Sequence, residues 1–149
     1  MTFEIAFAAI NIAVLPAWML LVFLPNATFT HKFVHTGIFP LLLGLFYIIT
    51  FVMSFAFEMG SQKGNFFTLP GISSVFSHPL GVLIGWSHYL VFDLFVGAWE
   101  ARDSRRRGLN HLAVVPCLLL TFILGPVGLV AYVMLRLATG TGFSFEEID

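Results

Sequence analysis

Four uncharged stretches, each long enough to cross a bilayer, constrain this chain more than any other feature. About 20 apolar residues at 1.5 Å rise span a hydrocarbon core of about 30 Å, and four runs meet that length: residues 5–24, 33–57, 80–99 and 112–135. The first carries Asn11 and Pro16 and is stopped by Pro25-Asn26. The second carries His35 and Pro40 and stops at Glu58-Met59-Gly60. The third is opened by Ser77-His78-Pro79, where a hydroxyl can cap and a proline suits the first helical turn. The fourth holds Pro116 and Pro126, which predict kinks. The expected fold is therefore all-α, an integral membrane four-helix transmembrane bundle forming a single domain, 1–149.

Composition agrees with lipid as the solvent. Charged residues make up 10% of 149 and hydrophobic residues 58%, against about 25% charged in a soluble domain. A net charge of -1 with seven Lys and Arg excludes a nucleic-acid binder, because no basic face exists to neutralise a run of phosphates. The single cysteine, Cys117, excludes an intrachain disulfide and any multi-cysteine metal site. Met1 to Glu4 holds no basic residue and the first run ends without a small-x-small cleavage site, so it reads as a retained helix rather than a signal peptide. That start suits a bacterial inner-membrane protein. Four of the seven basic residues fall in the 100–108 connection, which places that loop in the cytoplasm by the positive-inside rule. Lys32 then lies on the same side, with the N-terminus and the acidic tail Glu146 to Asp149 opposite.

An ionisable side chain inside a span costs roughly 3 kcal/mol on insertion scales and so needs a reason. The third run holds two, His88 and Asp93, and Asp93 is the sole acid within any of the four runs. At 100° per residue Trp86, Tyr89, Asp93 and Glu100 share one helix face, while His88 lies about 140° away with Phe92, Phe95 and Trp99. Two readings remain open. Either His88 and Asp93 make interhelical hydrogen bonds that hold the bundle, worth about 1 kcal/mol, or they handle protons in a buried site. Suitable partners are His35 for Asp93 and Asn11 for His88.

Five histidines invite a metal centre, but His31, His35, His78, His88 and His111 are scattered over different segments, so no metal and no cofactor is expected. Phenylalanine is unusually abundant, with 18 residues, and aromatic side chains crowd the third run. Together with Gly81, Gly85, Gly97, Gly125 and Gly128 they suit a groove for a long conjugated or isoprenoid ligand. Residues 60–79 are long for a bare loop and are expected to form an interfacial lid.

These residues also carry a family likeness. Trp86-Ser87-His88, then Phe92-Asp93-Leu94-Phe95, then His111 with Cys117-Leu118 and Gly125-Pro126-Val127-Gly128, resemble the abscisic-acid-deficient-four family of membrane proteins. Asn11 with Leu15-Pro16, Pro25-Asn26 and Leu69-Pro70-Gly71-Ile72 add to the resemblance, which extends to about Tyr132. Gly97-Ala98-Trp99 departs from the plant pattern, which has a basic residue there. Plant members are neoxanthin synthases. The resemblance thus implies an isomerase that turns a carotenoid epoxide into an allene, using an acid for the epoxide oxygen and a base for a neighbouring carbon. It suggests Asp93 and His88 as that catalytic pair, and Trp86, Tyr89, Phe92, Phe95, Asn11 and His35 as substrate-binding residues. The implied partners are a carotenoid or other isoprenoid lipid, membrane lipids, and either a second copy or carotenoid-pathway enzymes. A non-catalytic carotenoid-binding or accessory membrane protein is the alternative.

Overall fold

Prolines, glycines and short polar segments set the breaks between helices in a computed structural model that describes residues 3–144. The described residues form helices and no strand. Helix α1 spans Phe3–Phe23, and a π-helical segment, Thr30–Val34, leads through Gly37 into α2, Ile38–Phe55. Pro40 falls in the first turn of α2, where its missing N–H costs nothing. Helix α3, Leu69–Phe76, is capped by the Thr68 hydroxyl, which accepts from the Gly71 N–H at 3.2 Å. The segment expected to be a lid therefore contains a short helix. Helix α4 runs Pro79–Arg106, α5 His111–Leu124 and α6 Pro126–Ala138. By length and composition three stretches can cross a membrane: Phe3–Phe23, Thr30–Phe55 and Pro79–Arg106.

Helix α4 continues seven residues past the run read from the sequence, to Arg106. Its 28 residues measure about 42 Å, more than the hydrocarbon thickness. Glu100, Arg102, Asp103 and Arg105 are thus helical rather than part of a loop.

Two compact units divide the chain, one of residues 1–13 and 41–91, the other of 14–40 and 92–149. In the first, α1 and α4 run parallel, with Phe3 meeting His78 and Phe7 meeting Trp86. Phe66, from the segment before α3, packs on Phe51 and Phe55 of α2. In the second unit the Trp18 ring fills the space beside Gly97 and meets Phe122 at 5.1 Å. Val14, Ala17, Leu21, Leu94, Val114 and Leu118 form its buried apolar core.

The fourth uncharged run is where the structure departs most from a single kinked span. It is two helices that double back on each other. In a continuous helix, residues seven apart are separated by about 10.5 Å along the axis. Here a Cβ on Gly128 would overlap the backbone of Thr121, so the chain has reversed between them. Gly125 makes the reversal at φ 48°, ψ -97°, and Pro126 starts the returning helix. Helices of 14 and 13 residues, about 20 Å each, are too short to cross the core. The return is tied down at the arginine end of α4: Arg107 donates to the carbonyls of Thr141 at 2.9 Å and Ser144 at 3.2 Å. The chain leading to the C-terminus therefore reaches the same end as the 100–108 segment, not the opposite end. The acidic tail itself lies outside the described residues.

This geometry predicts the labelling of single cysteines placed at Arg106 and at Ala138 in a Cys117→Ser background. In sealed vesicles an impermeant maleimide should modify both from one face. Modification from opposite faces would rule out the hairpin.

Candidate functional site

Three polar clusters stand out, one in the first unit and two in the second. In the first, Asn11 anchors α1 to α4. Its amide donates to the Phe7 carbonyl at 2.7 Å and its oxygen accepts from Trp86 Nε1 at 3.0 Å. Trp86 in turn stacks on Tyr89, with ring centroids 5.2 Å apart and planes 20° apart. Asn11, Trp86 and Tyr89, expected to bind substrate, are thus brought together. The partner expected for Asn11, His88, is not the one it takes.

His88 is exposed on another side of α4, and its ring lies 5.9 Å from that of Tyr47. The two line a groove of about 350 Å³ with Phe66, Val75, Phe76 and Gly85 among its other walls. It is an aromatic slot with an imidazole and a phenol at its side, the shape and chemistry of a pocket for an apolar ligand carrying one polar group.

The second unit holds a ladder of buried acids on one side of α4. Asp93, 8% exposed, lies against the hairpin tip, where a Cβ on Gly125 would come within 2.6 Å of Asp93 Oδ1. The N-terminus of α6 begins beside it, and a helix N-terminus favours negative charge. Two turns further along, Glu100 is fully buried and accepts from the Thr121 hydroxyl at 2.9 and 3.1 Å. Three residues on, Asp103 binds Arg107 Nε through both oxygens at 2.9 Å. It also accepts from the Tyr132 hydroxyl at 2.7 Å and faces Arg136 Nη1 at 3.4 Å.

The third cluster is basic. His35 does not meet Asp93; it lies 3.5 Å from an Arg102 guanidinium nitrogen and its ring stacks edge-on to His31 at 5.2 Å. Arg105 donates to His31 at 2.7 Å. Phe92 and Phe95, the remaining expected binding residues, are both more than half exposed on α4. No group of three or more His, Cys, Asp or Glu side chains among the described residues is arranged to hold a metal ion.

Sequence reasoning missed Asp103, Thr121, Tyr132, Arg136 and Tyr47 as site residues, and placed Glu100 on the Asp93 face without giving it a role. The signal for both acids was present. Glu100 and Asp103 follow Asp93 at i+7 and i+10, the same helical face, once α4 is allowed to continue.

Breaking the Asp103 cluster from its two sides should cost different amounts. Asp103→Leu leaves Arg136 as an uncompensated buried cation, for which about 3–5 kcal/mol is expected. Arg136→Met leaves Asp103 still bonded to Arg107 and Tyr132, so a loss of about 1–3 kcal/mol is expected. Unfolding of both variants in the same micelles measures the difference, and the reverse order would contradict the arrangement.

Comparison with known proteins gives the chain relatives. The ABA DEFICIENT 4-like family model matches residues 5–132, from α1 into α6. The chain is 32% identical over 131 residues to Protein ABA DEFICIENT 4, chloroplastic, from Arabidopsis thaliana. The match covers 85% of this chain and 58% of that relative, so the chain spans rather more than half the relative's length. No solved structure matches. With residues 5–132 matched, most of its length, the chain belongs to the ABA DEFICIENT 4-like family.

Proposed function

We propose that this protein is a membrane-embedded isomerase acting on a carotenoid or related isoprenoid by acid/base chemistry. The groove beside His88 carries the reading: an aromatic-lined slot on an apolar protein, with proton-handling side chains at its wall. Family membership supports the substrate class through the carotenoid chemistry that the resemblance implies. An epoxide-to-allene conversion takes up one proton at oxygen as the carbon–oxygen bond breaks and releases one from a neighbouring carbon. It therefore needs no net oxidant and no reductant. His88 is suited to exchange a proton at the groove, since an imidazole ring carries both an N–H donor and a lone-pair acceptor. Asp93 is the second proposed proton carrier.

One observation favours the alternative, binding without conversion. Asp93 is 8% exposed and packed against Gly125, as a residue that holds the hairpin tip would be.

Expression in a carotenoid-producing host, followed by pigment analysis of membranes and purified protein, separates the two. Conversion should fall about 10²- to 10⁴-fold in His88→Ala and in Asp93→Asn while pigment still co-purifies. Pigment bound by all three proteins with no conversion would leave the binding role. Neither binding nor conversion would remove the carotenoid assignment.

A further inference from the structure

The groove beside His88 is small for a carotenoid, and its two polar side chains lie together. On the reading of that groove as the substrate site, we infer that it receives one terminal ring of the isoprenoid. The ring oxygen accepts from the Tyr47 hydroxyl, and the rest of the polyene stays outside in the bilayer.

Size sets the first limit. A dry cavity of about 150 Å³ accepts benzene, six carbons, so about 350 Å³ accepts about 14, against about 40 in a carotenoid. That number covers a methylated six-membered ring and a short conjugated stub.

The walls set the direction. Helix α4 gives Gly81, Gly85 and His88 to the groove at i, i+4 and i+7, one helix face and about 10 Å of its length. At Gly81, α3 packs directly on α4, since a Cβ there would overlap the Val75 carbonyl, and the Phe76 ring lies against Gly85. With Phe66 and Ile72 these residues make the Gly81 end apolar. The polar side chains, His88 and Tyr47, sit at the other end of the α4 face, their rings 5.9 Å apart. In a ring epoxide beside the polyene attachment, oxygen and chain leave the ring on the same side. A ring seated at the apolar end therefore presents its oxygen to His88 and Tyr47 and sends the chain out past them.

Tyr47 is built to hold that oxygen. Its ring is fixed against Phe51 and His88, while its hydroxyl makes no hydrogen bond among the described residues. A phenol held by its ring donates through its oxygen to whatever acceptor enters.

β-Ionone epoxide carries such a ring, its epoxide and a conjugated stub in about 13 carbons, within the limit of the groove. The full chain in mild detergent would be loaded with β-carotene diepoxide and titrated with β-ionone epoxide or β-ionone. Pigment absorbance after removal of free pigment gives the fraction still bound. Wild type should release its pigment to β-ionone epoxide at a concentration about threefold to tenfold lower than β-ionone requires. Tyr47→Phe, which keeps the ring contacts, should bring the two to within about twofold of each other. Pigment retained against saturating β-ionone epoxide overturns the inference and leaves the isomerase reading standing, and this arm uses wild type alone. An undiminished preference in Tyr47→Phe overturns the part given to the hydroxyl. No pigment bound at loading overturns the substrate-site reading and the inference together.

Discussion

Asp103 is the point on which the second unit depends. One carboxylate on α4 receives Arg107 from just past the end of that helix and both Tyr132 and Arg136 from α6. Apolar side chains in hydrocarbon gain little by choosing one helix register over another, because lipid tails are as apolar as leucine. Polar contacts therefore have to choose it. Asp103 fixes how far α6 slides along α4, and the Thr121–Glu100 bond does the same for α5. A buried ion pair adds little net stability when compared with well-packed apolar residues, so register is the better account of why these groups sit inside.

The first three spans were legible because an uncharged run bounded by proline, glycine and charge has one solution in a bilayer. The fourth was not, and the reason is physical. Residues 112–135 are as apolar as a crossing helix, and hydropathy measures transfer into lipid without regard to direction. Gly125-Pro126 reads equally as a kink or a reversal. What decides is pairing: Gly128 is small enough to lie against the Thr121 backbone, and Arg136 has an acid to reach only if α6 comes back toward the end of α4 where Asp103 lies.

The site was legible in part for the same reason. Asn11 and Trp86 stand out as polar atoms inside apolar runs, and they do find each other. His35 takes a partner other than the expected Asp93. With the third run ended at Trp99, Arg102 was assigned to a loop, although in the helix its guanidinium lies beside His35. Asp103 was hidden by that same boundary, while Glu100 was placed on the face of Asp93 but not read as buried. Charges near a span end resemble topology signals until the helix is seen to carry them inward. The two acids are buried because α5 and α6 cover them, and a sequence that reads as one crossing helix gives no cover there.

Asp93 then presents a balance that the hairpin helps to meet. A carboxyl at this depth costs roughly 3 kcal/mol on insertion scales. The N-terminus of α6 beside it contributes at most about 2 kcal/mol and commonly less than 1. The dipole alone does not offset the cost, so the remainder has to come from hydrogen bonds or from a neutral carboxyl. The contribution of the α6 N-terminus requires the tip to stay in place, which couples Asp93 energetically to the Gly125 turn.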